Sequence, residues 1–208
     1  MQPGHIIILN GTSSAGKSTL AKALQTVLTE PYLHLGIDTV IFALPRRYLY
    51  PPDWHEVFRY HWPPDGSADG LEIEAGPYGH RLIGGLHRMV AALARSGQHV
   101  IVDHVLLEPA WVEECAELFA DLPALFVGVH CPLEVVEQRE RDRKDRTLGQ
   151  ARAQFHKVHQ RAIYDLTVDT SQRGAEECAA IIQQHVRPTE RSVGFAQIRR
   201  RAADEGRW

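Results

Sequence analysis

Short apolar runs alternate along the chain with longer stretches in which apolar residues return every three or four positions. Ile6 to Leu9 is a continuous, largely β-branched run between Gly4 and Gly11, the pattern of a strand buried on both faces. From Lys17 to Leu28, Leu20, Ala21, Leu24, Val27 and Leu28 keep helical spacing until Pro31 stops it. Tyr32 to Gly36 predicts a second strand, with Asp38 just past its end and a further apolar stretch from Val40 to Leu44 that Pro45 terminates. Leu82 to Ala94 predicts a helix, His99 to Val102 a strand ending on Asp103 and His104, and Pro109 to Phe119 another helix. A strand from Ala124 to Val129 and a helix running from Leu133 into the charged segment Arg139 to Arg146 follow. Leu166 to Val168 is a weaker fifth strand, and Ala175 to Val186 a last helix.

This alternation predicts an α/β fold, a parallel sheet covered on both faces by right-handed crossovers, with ligands gathering at the carboxyl strand ends. Two stretches break the pattern. Pro45 to Gly79 is rich in proline and glycine and carries Trp54, Phe58, Tyr60 and Trp62, as expected of an elaborated loop or lid. Arg187 to Trp208 has little apolar content and includes Arg191, Arg199, Arg200, Arg201 and Arg207, which predicts a solvated appendage, with partner binding as the alternative.

Composition changes this picture little but excludes much. The 208 residues are 44% apolar and 24% charged, the balance of one ordinary globular domain able to bury a core unaided. The 23 basic and 26 acidic residues give a net charge of −3, which argues against nucleic acid or an anionic membrane as partner. Cys115, Cys131 and Cys178 are widely spaced and form no C-x-x-C pair, so neither a disulfide framework nor a zinc site is expected. With no apolar run near the ~20 residues of a membrane helix and no secretory leader, a cytosolic protein is expected.

The chemistry is concentrated at the first strand end. Gly11, Thr12, Ser13, Ser14, Ala15, Gly16, Lys17 and Ser18 satisfy G-x-x-x-x-G-K-[ST], between a predicted strand and a predicted helix. In such a loop the glycines let the backbone wrap a phosphate, and the helix amino end, with Thr19 in its first turn, points N–H groups at the anion. Lys17 would bridge the outer phosphates and the Ser18 hydroxyl would ligate Mg²⁺. Asp103, directly after an apolar strand, has the form of the acid that holds Mg²⁺ through its water shell; a helix cap is the alternative. Asp38, across the same sheet edge, is the candidate base that accepts the proton of an attacking hydroxyl, with an N-cap as its alternative. Arg139, Arg143 and Arg146, at i, i+4 and i+7, place three guanidinium groups on one helical face able to clamp phosphate. Equally, that helix could be a solvated one stitched by Glu140 with Arg143 and Asp142 with Arg146. The aromatic segment either walls a pocket or anchors its own loop, since Trp54 and Phe58 also match helical spacing. His156 and His159 read as neighbours on one helix face.

These residues resemble the chloramphenicol phosphotransferase family of P-loop kinases over nearly the whole span from His5 to about Val186. The likeness rests on I-L-N-G-T-S-S-A-G-K-S at Ile8 to Ser18, L-G-I-D-T at Leu35 to Thr39, V-I-V-D-H-V at Val100 to Val105, L-F-V-G-V-H-C at Leu125 to Cys131 and Y-D-L-T-V-D-T at Tyr164 to Thr170. The resemblance implies a P-loop nucleotide-kinase-like fold of three layers with a five-stranded sheet, ATP with Mg²⁺ as cofactors, and transfer of the γ-phosphoryl to a hydroxyl of a small molecule. By position it implies Asp38 as base, Lys17, Ser18 and Asp103 as nucleotide and metal residues, and the arginines of residues 139–150 as a short lid. A kinase domain over residues 1–186, an insertion over 45–79 and a C-terminal extension over 187–208 are the expected organisation. Asp103-His104 stands where family members carry two consecutive acids, so His104 joins Asp38, Trp54, Phe58 and Trp62 as candidate acceptor contacts. The expected activity is an ATP:alcohol phosphotransferase acting on an antibiotic-like hydroxylated molecule. A kinase of an endogenous sugar, nucleoside or nucleotide-sugar is the alternative, and a nucleotide-dependent regulatory switch is the rival from another class.

Overall fold

A computed structural model describes residues 2–50, 52–143 and 147–206. Its centre is β1 (Ile6–Asn10), buried along its whole length because alternate side chains feed two separate cores. Ile6 and Ile8 point to one face of the sheet and Ile7 and Leu9 to the other, so a continuous apolar run is what this position demands. Around it lie β2 (Tyr32–Gly36), β5 (His99–His104), β6 (Ala124–His130) and β7 (Leu166–Asp169), all parallel, in the order β2-β5-β1-β6-β7. The five-stranded parallel sheet expected from the alternation is therefore the observed one.

Helices close both faces. On one, α3 (Pro77–Arg95) and α4 (Pro109–Leu118) bury Ile83, Leu86, Trp111 and Val112. On the other, α1 (Lys17–Val27), α5 (Leu133–Asp142) and α7 (Ala175–His185) bury Leu20, Leu24, Val136 and Ile182. The short α2 (Ile37–Ile41) follows β2 directly and packs on α3.

Four expectations are corrected. The irregular stretch after Pro45 holds an antiparallel hairpin, β3 (Phe58–His61) with β4 (Glu72–Ala75), and α3 starts at Pro77 rather than Leu82, with proline in its first turn where it costs no hydrogen bond. The helix through Arg139 ends at Asp142, and Arg143 is its C-cap with extended backbone (φ −94°, ψ 114°), so the three-arginine face does not form; Arg146 lies outside the described residues. Nor does Glu140 stitch a solvated face: it is 2% exposed and accepts from the backbone N–H of Gly149 and Ala151, both at 2.7 Å. Those residues open α6 (Gln150–Phe155), which ends before His156, so His156 and His159 share no helix face.

The tail is the fourth correction. Residues 193–204 form α8 (Val193–Asp204), which lies on α4 with Phe195, Ile198 and Ala202 buried. Phe195 stacks on Phe126 of β6 at 4.6 Å, and Ser192 caps the helix by accepting from the Phe195 N–H at 3.0 Å. Within the tail, α8 is thus a core element rather than part of a solvated appendage, while residues 187–191 are exposed. Among the described residues no helix is long and apolar enough to cross a membrane.

Candidate active site

The loop from Gly11 to Thr19 leaves β1 at the carboxyl edge of the sheet and turns into α1. Gly16, at the N-cap, has φ +84°, a left-handed conformation that a side chain would strain. Ser14 adopts φ +62° without that freedom, so neighbouring contacts must hold it. They flank it on both sides: the Ser13 N–H donates to Gln154 Oε1 at 2.7 Å, and Thr170 Oγ1 donates to the Ala15 carbonyl at 2.9 Å. Lys17 is 8% exposed and its Nζ donates to the Thr12 carbonyl at 2.7 Å, folding the ammonium back over the loop. The Ser14 hydroxyl is buried with no hydrogen-bond partner. An orphaned donor, a buried ammonium and a helix amino end converging on one concavity fit the phosphate tail of a nucleotide.

Asp103, at the end of β5, is 9% exposed beside this loop. Burial alone would raise its carboxyl, but the neighbouring His34 ring, the Ser18 hydroxyl and the nearby Lys17 charge outweigh it and hold it below the usual carboxylate range. Its Oδ2 lies 3.3 Å from His34 Nε2 on β2. Gly36, paired with Asp103 across the strands, makes the space: a Cβ there would stand 1.9 Å from Asp103 Oδ1. An ionised Asp103 beside the Ser18 hydroxyl offers the hard oxygen groups that would hold Mg²⁺, directly or through water.

The loop lines a cleft of about 220 Å³. Asp38, half-buried in the first turn of α2, lines it together with Ser13, Ser14, Gly16, Lys17, Ser18, Thr19 and Asp103. The opposite wall is apolar and aromatic, built from Trp54, Phe58, Tyr60 and Ile73 of the inserted segment with Ile41, Val105 and Leu107. The rings also brace one another, Trp54 lying 5.6 Å from Phe58 and 6.2 Å from Tyr60. Arg143 and Thr147 also line the cleft.

Several expected contacts fall elsewhere. Trp62 is 45% exposed and outside the cleft, because it follows the end of β3. His104 is 1% exposed behind the cleft's floor, its side chain turned to the opposite face from Asp103, with Nε2 3.0 Å from His87 Nε2. His87 in turn meets Glu114 at 2.7 Å, so His104 belongs to a buried polar chain between β5, α3 and α4. Arg139 lies against the loop but not in the cleft, donating to the Thr170 carbonyl at 2.9 Å and to Thr170 Oγ1 at 3.3 Å. Gly11, Thr12 and Ala15 form the base of the loop rather than its lining.

Sequence reasoning missed His34 and Gln154. Neither sits in a motif: His34 is one residue of a short strand, and Gln154 reaches the loop across 141 positions of chain.

A family model described as chloramphenicol phosphotransferase-like protein matches residues 4–187. A Mycobacterium tuberculosis protein whose name designates it an O-phosphotransferase is 32% identical over 209 residues, covering 97% of this chain and 90% of its own. Among solved structures, the Mycobacterium tuberculosis APS kinase in complex with AMPPNP and APS superposes with a TM-score of 0.59 at 18% identity, covering 88% of this chain and 98% of its own. The Deinococcus radiodurans tunicamycin resistance protein superposes at 0.57 with 19% identity, covering 89% and 96%. At such identities these two structures speak to the fold, a P-loop kinase fold, while the family match and the mycobacterial relative extend to the sequence itself. The chain belongs to the chloramphenicol phosphotransferase-like family, an enzyme family built on that fold.

Proposed function

We propose that the chain is an ATP-dependent O-phosphotransferase that moves the γ-phosphoryl group to a hydroxyl of a small, partly apolar molecule, an antibiotic-like alcohol. The observation that carries this reading is a single cleft with the phosphate loop at one end, Asp38 beside it, and an apolar aromatic wall facing both. Trp54, Phe58, Ile73 and Leu107 favour an acceptor with an apolar body over a polyhydroxylated sugar. A lining that runs from the phosphate loop to these side chains favours a second substrate over a regulatory switch.

In this reading the loop amides and Lys17 hold the nucleotide phosphates, and Ser18 with Asp103 hold a magnesium ion. The ion, when bound, neutralises charge on the outer phosphates. Trp54, Phe58 and Tyr60 pack the acceptor's apolar body and exclude water from the transfer. Asp38 orients the acceptor hydroxyl and accepts its proton as the oxygen bonds to the γ-phosphorus and the bond to the leaving ADP oxygen breaks. Lys17, with Arg143 from the lid side, spreads the developing charge.

The test is incubation with ATP, Mg²⁺ and a panel of antibiotic alcohols and primary-metabolite sugars, followed by mass spectrometry. A product heavier by one phosphoryl group from an apolar-bodied alcohol is expected. Nucleotide turnover indifferent to every acceptor, with no phosphorylated product, would overturn the reading. Lys17→Ala is expected to weaken ADP binding and to lower kcat/KM by at least about a hundredfold.

A further inference from the structure

The six residues of α6 lie between the phosphate loop, α5 and the inserted segment. Glu140 of α5 anchors its start through two backbone N–H groups, and Gly149, at φ +85°, lets it pass so close to the insertion that a Cβ would stand 2.5 Å from the Ala68 carbonyl. Arg152 ties it to Glu137 at 2.6 Å and to Asp69 at 3.4 Å. At its far end Gln154, 3% exposed, accepts from the Ser13 N–H at 2.7 Å, and Thr12 Oγ1 donates to the Ala151 carbonyl at 3.0 Å. Ser13 immediately precedes Ser14, whose left-handed backbone lacks the freedom of glycine. With its buried amide unmade, the Thr12–Ser13 peptide would have to rotate toward water, and the loop would lose the shape that presents its remaining N–H groups to phosphate.

We propose that Gln154 is a positioning residue for phosphoryl transfer, an amide brace that keeps the phosphate loop in its anion-ready shape and ties it to the lid base and the acceptor insertion through α6. The inference rests on the assignment of Gly11 to Thr19 as the nucleotide cradle. It gives the loop two braces, Gln154 on Ser13 and Thr170 on Ala15, one on each side of Ser14.

The experiment compares Gln154→Leu, Gln154→Glu and Lys17→Ala with the parent chain, measuring ADP affinity by calorimetry and unfolding by circular dichroism. Gln154→Leu keeps the volume and removes the acceptor. Its ADP dissociation constant is expected to rise about tenfold at a temperature where it is fully folded, and its KM for nucleotide to rise likewise, with the acceptor KM changed less than about twofold. A purely structural residue would lower the unfolding midpoint and leave the ADP constant alone; a value within twofold of the parent overturns the proposal. Should Gln154→Leu fail to fold, Gln154→Glu retains the oxygen that holds the Ser13 N–H and adds a charge facing the phosphates. It is expected to fold and, with the Ser13 N–H still held, to bind ADP within about twofold of the parent once high salt has screened the added charge; a loss of tenfold or more that persists in high salt overturns the proposal. If Lys17→Ala loses ADP and Gln154→Leu does not, only the brace is wrong; if neither loses it, the cradle itself is misplaced.

Discussion

At the scale of single residues, Asp38 and Gly36 carry the sharpest expectations. Asp38→Asn keeps shape and hydrogen bonding but removes the proton acceptor, so kcat is expected to fall by about 10² to 10⁴ with ADP affinity within twofold, as steady-state kinetics and calorimetry would read. An unaltered kcat would remove Asp38 from the chemistry. Gly36→Ala drives a methyl group into Asp103 Oδ1, so the carboxylate must swing away from Ser18. The Mg²⁺ concentration for half-maximal activity is expected to rise at least about tenfold, and a normal magnesium titration would show that Asp103 does not need this place. Loop, Asp38 and Asp103 were legible in the sequence because each follows a short apolar run, and strand ends in a parallel sheet converge. His34 and Gln154 were not, since their partners are set by strand pairing and by a helix return that no local spacing records.

At the scale of elements, legibility followed length and context. The long periodic segments became helices within a few residues of their expected ends, whereas the hairpin β3–β4 and α6 were missed. Ile73 and Ala75 do alternate with the exposed Glu72 and Glu74, but β3 shows no such alternation, and over four residues amid proline and glycine the signal is too short to stand out. In α8 the apolar positions Phe195, Ile198 and Ala202 keep helical spacing, and arginines hide it. Those arginines are themselves packed, Arg199 donating to the Ala116 carbonyl at 2.9 Å and Arg201 to the Arg161 carbonyl. Ile198 is fully buried against α4 and the sheet. Ile198→Ala is therefore expected to cost about 2 to 5 kcal/mol in denaturant unfolding, whereas a solvated tail would show a change below about 0.5 kcal/mol.

At the scale of the whole molecule, buried histidines set an acid limit. Burial beside His99 pushes the His5 imidazole down to about 4, and burial near His130 and Lys17 does the same to His159. Both are neutral in the folded chain where an unfolded chain takes up protons, so the unfolded state binds more protons between pH 6.5 and about 4. Stability is therefore lost as pH falls through that window, His5 alone accounting for about 3 kcal/mol. Urea midpoints at pH 7 and pH 4.5 are expected to differ accordingly, and His5→Gln to flatten the difference; equal midpoints in the parent chain would contradict the assignment.

The greasy wall opposite Asp38 has a bearing on how a catalytic cycle ends. It welcomes an uncharged guest, yet transfer would convert that guest into a phosphate ester carrying nearly two negative charges, seated beside a carboxylate. The described lining offers only Lys17 and Arg143 as counter-charges, and the phosphates of ADP would draw on the same two groups. Repulsion would thus favour departure of the modified molecule, leaving the chamber vacant for the next uncharged one.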